Sequence, residues 1–276
     1  MTGAGPLLVM GATGNLGGAL FRQLRAAGVD VRAAVRDRTG APADAVVADF
    51  DRPETVAAAA SGVRAVFVLG GRRDMPGLCA ALAAAGVEHV VLLTSRSVIG
   101  RVPGNAIADM WAASETALRG SPLGWTILRP SGFMSNALRW APQLRAGDVV
   151  RAPFGDAAIA AIDPDDLAAV AAVALTDPGY ASRALELSGP AALRPAAQVE
   201  ILGRALGREL RFEPLTGDAA GAELAQVFPP AFVEAQRRFF EAGEFDDARV
   251  VTTVRDVLGR PPRTFEQWVA AHAAAF

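Results

Sequence analysis

The chain has 276 residues, which at roughly 150 residues per domain implies one large domain or one domain with a smaller appendage. Apolar residues make up 51% and charged residues 20%, and 27 basic against 29 acidic side chains leave a net charge of −2, without the basic surplus that a nucleic-acid partner requires. All 27 basic side chains are arginine, and only one Tyr, two His and one Cys accompany them, which excludes lysine-dependent chemistry, an internal disulfide and a multi-cysteine metal site.

From Leu7 to about Arg129 short β-rich runs alternate with helical ones, as a parallel sheet with helices on both faces requires. The pattern predicts strand Leu7 to Met10, a glycine-rich turn, a helix near Asn15 to Ala27, strand Val31 to Val35 and a short strand near Val46 to Ala48. Asp51 and Pro53 predict the next helix, with the aspartate as its cap and proline just inside. Strand Ala65 to Leu69, helix Pro76 to Ala85, strand His89 to Thr94, helix Ala106 to Arg119 and strand Trp125 to Leu128 follow. Beyond Arg129-Pro130 the rhythm loosens: a helix capped at Asp163 and running through Leu175, a strand at Leu185 to Leu187, and helices at Ala197 to Leu206, Pro230 to Ala242 and Thr264 to Ala275. The start, MTGAGPLLVM, is too short an apolar run for a secretory leader, and the longest unbroken apolar run, Leu167 to Leu175, falls short of the roughly 18 residues of a membrane helix. The expectation is a cytoplasmic protein with no membrane partner.

The most informative segment is VMGATGNLGG, where Gly11, Gly14 and Gly17 follow a strand and open a helix, the setting of a dinucleotide-binding turn. Gly11 permits the tight turn, Gly14 the approach of a pyrophosphate to backbone, and Gly17 close helix-to-strand packing. Thr13, Asn15 and Leu16 lie along the same cradle, and the helix amino end offers free N–H groups to phosphate. The fold class is therefore α/β, a Rossmann-type doubly wound parallel sheet over residues 1–150, to which 157–188 returns, followed by a mainly helical stretch over 189–276. After the second strand stands Arg36, whose guanidinium matches a ribose 2′-phosphate. This predicts NADP(H), with Arg38 as a second contact; if the strand runs one residue longer, Asp37 takes the selecting position and NAD(H) is favoured. Asp49 and Phe50 are placed to flank the adenine, and Leu69 and Gly70, ahead of Gly71, to meet the cofactor at the sheet's carboxyl edge.

GATGNLGG, VRAAVRD, ADFDRPETVAAA, VEHVVLLTS, SETALRGSPLGWTILRPSGFMSN and VLGRPPRTFEQWVAAHAAAF together resemble the NmrA-like family, the atypical branch of the short-chain dehydrogenase/reductase superfamily that includes quinone and triphenylmethane dye reductases. The resemblance spans essentially the whole chain. It implies a nucleotide-binding domain and, over the carboxyl-terminal stretch, a smaller α/β substrate domain closing a cleft over the nicotinamide. It also implies cofactor contacts from Thr94 and Pro130, substrate orientation by Ser95, and an apolar pocket shaped by Phe133 and Met134. Ser95 and Thr94 could equally serve strand-end hydrogen bonds to backbone.

The Tyr-x-x-x-Lys pair used by many superfamily members is unavailable without lysine. Where many relatives carry a lysine on the helix before Glu115, register puts Trp111, which either stacks on substrate or nicotinamide or packs as an ordinary aromatic. Glu115 matches the family and reads as a solvated or ion-paired helix residue. His89 and His272 read as structural and Cys79 as buried and inert. With so few proton donors, the expected activity is NADPH-dependent hydride transfer to a small apolar or aromatic electrophile: a quinone, an imine or iminium, or a conjugated carbonyl. Alternatives are a redox-sensing regulator that binds NADP(H) without turnover, and a non-redox cyclase or isomerase.

Overall fold

The computed structural model describes residues 5–276; residues 1–4, the beginning of the run weighed above as a leader, lie outside it. In chain order the elements are β1 (Leu7–Met10), α1 (Asn15–Ala26), β2 (Val31–Val35), β3 (Val46–Val47), α2 (Pro53–Ala59), β4 (Ala65–Leu69), α3 (Met75–Ala84), β5 (His89–Leu93), α4 (Ala106–Arg119) and β6 (Gly124–Pro130). Then come α5 (Ala141–Ala146), β7 (Val149–Pro153), α6 (Pro164–Thr176), β8 (Arg183–Leu187), α7 (Pro195–Leu206), β9 (Arg211–Leu215), α8 (Gly217–Ala225), α9 (Pro230–Phe240), α10 (Thr253–Leu258) and α11 (Phe265–His272).

β1 is buried at every residue, as a central parallel strand covered on both faces must be. Its side chains alternate between two cores: Leu7 and Val9 pack with Phe67 and Val91 on the face of α1 and α6, while Leu8 and Met10 pack with Val66 and Leu78 on the face of α2 and α3. Each fully buried leucine contributes about 1.5–3 kcal/mol. The sheet is parallel throughout, in the order β3-β2-β1-β4-β5-β6-β8. Strand order reverses between β1 and β4, so the ligand crevice expected of such sheets opens beyond the carboxyl ends of these two strands.

The sequence pattern reveals neither β7 nor β9, which pair in parallel as a separate two-stranded sheet. Each is a five-residue segment with charge and proline, Val-Val-Arg-Ala-Pro and Arg-Phe-Glu-Pro-Leu, and lacks the apolar run that marks the central strands. Nearby, Met134, Leu202, Phe265 and Trp268 form a distinct core. α10 returns to pack on α6 and β8, and its Val254 joins the core of the main sheet.

Asp51 does not cap α2. Pro53 occupies the first helical position, so Arg52 is the cap residue, and the Asp51 carboxylate instead accepts from the Arg73 amide at 3.1 Å. α3 likewise starts one residue before Pro76, capped by Asp74, which accepts from the Gly77 amide at 2.8 Å. Among the described residues no helix is long and apolar enough to cross a membrane.

Candidate functional site

Main-chain atoms alone build the first wall of the crevice. Gly11 has φ +75°, a region that L side chains rarely adopt, and its carbonyl receives the Gly14 amide at 2.9 Å. A Cβ on Gly17 would sit 2.3 Å from that carbonyl oxygen and 3.1 Å from the oxygen of Met10, so α1 reaches this close to the strand only because residue 17 has no side chain. Gly14 caps α1 without a side chain, leaving the amides of Asn15, Leu16 and Gly17 at the head of the helix with no side-chain acceptor and no acidic residue in the first turn. Thr13, Gly14 and Asn15 are exposed along the lip. Main-chain donors open at a helix amino end, in a turn too tight for a Cβ, fit the diphosphate of a dinucleotide.

β2 ends at Val35, which makes Arg36 the first residue beyond the strand; it is exposed and has no ion pair among the described residues. Asp37 is engaged within its own turn, where hydrogen bonds from Thr39, including its amide at 2.6 Å, hold the carboxyl below the usual range. The Arg38 guanidinium donates to the Ala43 carbonyl at 3.4 Å. Asp49 is exposed and accepts from the Asp51 amide at 3.1 Å. Phe50 is 6% exposed and belongs to the core between the sheet and α2 and α3.

At the end of β4 the chain passes directly against α4. Leu69 packs on the core of the α1 and α6 face, and a Cβ on Gly70 would lie 2.9 Å from the Leu93 oxygen and 3.2 Å from Cζ3 of the half-buried Trp111. The Gly71 amide donates to Ser114 Oγ at 2.9 Å, fixing this loop to the helix. Asn105, whose side chain accepts from the amides of Ile107 and Ala108, sets the start of α4 and with it the height of Trp111 above the sheet.

Thr94 and Ser95, neighbours in the chain, face different tasks. Thr94 is 3% exposed and donates its hydroxyl proton to Glu115 Oε1 at 3.0 Å. Glu115 is buried, not solvated: Arg129 grips it with Nε at 2.9 Å and Nη2 at 2.5 Å. Thr94 therefore has its proton committed within a closed network. Half-buried Ser95 accepts from the Ser97 amide at 3.1 Å, which leaves its own O–H proton available to donate. Past buried Pro130, the next loop separates its two pocket candidates. Phe133 packs against the main core, while Met134, 3% exposed, lines an apolar cavity of about 150 Å³ with Ile159, Leu193 and Phe265.

The structure also places two charged groups at this edge that the sequence pattern does not single out. Arg96, directly after Ser95, is 2% exposed, and Asp247, in a coil far down the chain, is 5% exposed. Asp247 Oδ2 accepts from the Gly132 amide at 2.9 Å, and burial pushes the carboxyl up to about 7. An arginine beside an apolar strand end was the available signal for Arg96; Asp247 has none in its local sequence. Elsewhere, His89 approaches Thr126 Oγ1 at 3.1 Å and burial lowers its pKa, His272 lies 2.8 Å from the Trp268 carbonyl, and burial raises the Cys79 thiol to about 11. Among the described residues no cluster of three or more His, Cys, Asp and Glu could hold a metal ion.

A family model described as NAD(P)H-binding matches residues 11–178. A (4-alkanoyl-5-oxo-2,5-dihydrofuran-3-yl)methyl phosphate reductase from Streptomyces griseus is 40% identical, over 98% of this chain and 99% of its own. An NAD(P)H azoreductase from Xenophilus azovorans is 33% identical over the same shares, 98% and 99%. In structure, an NADPH-dependent quinone oxidoreductase from Escherichia coli, solved with NADPH, aligns with a TM-score of 0.78 at 23% identity, over 96% of this chain and 99% of that one, and so shares the fold.

Proposed function

The chain belongs to the NAD(P)H-binding family, and from that premise we propose that it is an NADPH-dependent reductase of a conjugated carbonyl or quinone-like electrophile, working without a tyrosine–lysine relay. The observation that carries this reading is the side-chain-free turn of Gly11, Gly14 and Gly17 on the same carboxyl edge of the sheet as Gly70, Trp111 and Ser95. Relatives named as reductases, matching almost end to end, favour turnover over a purely sensing role. The first of them is named for a butenolide whose ring double bond is conjugated to carbonyl groups, an acceptor whose polarised carbon takes hydride with little help from acid.

When bound, the dinucleotide supplies the hydride. The amides of Asn15, Leu16 and Gly17 hold its diphosphate, and Arg36, unencumbered by any carboxylate, holds the 2′-phosphate that distinguishes NADPH. Gly70, without a side chain, would leave room at the sheet edge for the nicotinamide, and Trp111, packed against it, would shield that side from water. Ser95 donates its free O–H to the acceptor oxygen as negative charge develops there, while Thr94, its proton spent on Glu115, orients the strand end. Phe133 offers an apolar wall to the acceptor ring, and Met134 backs it from the neighbouring core.

The test is NADPH oxidation, followed at its near-ultraviolet absorbance, over 2-methyl-1,4-naphthoquinone, an azo dye and a 3-acyl butenolide. Turnover of at least one with NADPH preferred over NADH is expected. Tight NADPH binding with no oxidation by any of them overturns the reductase reading.

A further inference from the structure

Residues 243–251 form neither helix nor strand, yet this strap is tied to four loops, those of Arg96, Gly132, Ala160 and Ser188. Asp247 Oδ2 accepts from the amide of Gly132, on the loop that carries Phe133, and the Asp247 carbonyl accepts from the Ala160 amide at 2.8 Å. Arg96, on the loop that carries Ser95, donates from Nη1 to the Arg249 carbonyl at 2.7 Å and lies 3.7 Å from Asp247 Oδ1. The Val251 amide donates to Ser188 Oγ at 2.9 Å, and Arg249 pairs with Glu186.

Stability alone does not account for this arrangement. A neutral amide or hydroxyl oxygen would also accept from the Gly132 amide, without the cost of a buried charge. Burying both a carboxylate and a guanidinium costs several kcal/mol per ion, and a pair without a hydrogen bond between its members returns little of it. Asp247 Oδ1 is buried with no hydrogen bond at all. What the carboxylate adds is attraction across the gap between two loops that both flank the reacting site.

We infer that Asp247 is a positioning residue: with Arg96 it holds the Ser95 loop and the Gly132–Phe133 loop at one separation across the substrate cleft. The inference rests on the reductase reading of that cleft. The charged groups acting on Asp247 are Arg96 on the cationic side and Asp246 on the anionic side, while Arg249, further along the strap, is paired with Glu186. Only the ionised carboxylate attracts Arg96, and it is the stronger acceptor for the Gly132 amide. Protonation therefore slackens the tie, and turnover declines on the acid side of neutrality.

Wild-type protein, Asp247→Ala and Asp247→Asn are to be compared by steady-state kinetics with NADPH and the two carbonyl acceptors named above. Amide hydrogen exchange over residues 94–98 and 130–136 supplies a second readout that needs no turnover. Asp247→Ala is expected to lower kcat about tenfold or more, since a misplacement of about 1 Å costs up to 10²-fold, with KM for NADPH little changed and exchange faster in both segments. Asp247→Asn, which can still accept from the Gly132 amide but cannot attract Arg96, is expected to restore only part of the protection and to hold the lowered kcat/KM of the wild-type acid limb at every pH, with no limb of its own. Should Asp247→Ala not fold, loss of that limb in Asp247→Asn decides the matter. Unchanged kcat and unchanged exchange, or a loss confined to NADPH affinity or thermal stability, overturns the inference. If wild-type protein oxidises NADPH with neither acceptor, the reductase reading fails instead, and the exchange data alone decide whether Asp247 holds the two loops.

Discussion

On the β1 side of the crevice, position is held by contact between main-chain atoms; on the β6 side it is held by buried charge. Gly17 stands where a single added carbon would meet the Gly11 carbonyl at 2.3 Å, and no titratable group takes part. Gly132, across the same edge, is held by a carboxylate that is 5% exposed and opposed by an arginine that is 2% exposed. The contrast teaches that one ligand-facing edge can be built in two ways, with different weaknesses. Steric fit fails abruptly on substitution and ignores pH, whereas a charge tie weakens gradually with protonation.

The largest effect that would break this comparison is expected at Gly17. Gly17→Ala should cost about 3 kcal/mol or more, at the upper end of overpacking penalties because the clash is with backbone that cannot rotate away. Thermal melts and NADPH titration should both register the loss, equally at acid and alkaline pH. A variant that folds and binds NADPH normally would show that the turn is looser than its contacts imply.

A smaller effect should separate the two sides by pH. Asp247 ionises at about 7 in the folded protein, raised from 3.8 by burial, so between these values the folded chain holds the proton more tightly than the unfolded one. Stability from this group is full below about pH 4 and is lost as pH rises through about 7. Relative to Asp247→Asn, the wild-type melting temperature should therefore fall by several °C between about pH 5 and pH 8, an effect on the order of 2 kcal/mol. Parallel curves for the two proteins would mean that the carboxyl titrates normally. The same ionisation that weakens the fold is the one expected to support turnover, so activity and stability should move in opposite directions across neutrality.

The smallest effect should appear at the outer rim of the glycine side. Arg36→Ala should weaken NADPH binding by about 1–2 kcal/mol, the scale of a charge-assisted contact, with NADH binding and melting temperature almost unchanged. Equal losses for both dinucleotides would remove Arg36 as the 2′-phosphate ligand and return the question to Arg38.

Legibility in the sequence follows the same division. The Gly11-Gly14-Gly17 spacing and the apolar run of Leu7–Met10 specify strand, turn and helix because each depends on residues a few positions apart. The start of α4 at Ala106 is local in the same sense, although its Asn105 cap is seen only in the structure. Asp51 shows the limit of such reading: with Pro53 at the first helical position the cap moves to Arg52, and the carboxylate turns to the distant Arg73 amide. Glu115 is a sharper case: its place on a helix leaves a solvated face and an ion pair both open, and only Arg129 and Thr94, brought in by β6 and β5, settle it as a buried ion pair.

By itself the sequence determined the parallel sheet, the bare turn at its switch point and the absence of any lysine to carry a proton, because backbone conformation and composition are written in neighbouring residues. Only the tertiary structure decided that β7 and β9 would meet, that Ser95 rather than Thr94 keeps a free proton, and that Asp247 reaches Gly132 across 115 residues of chain. The physical reason is that the energy of a buried charge or a spent hydrogen bond depends on which distant segment arrives beside it, and no local pattern records that arrival.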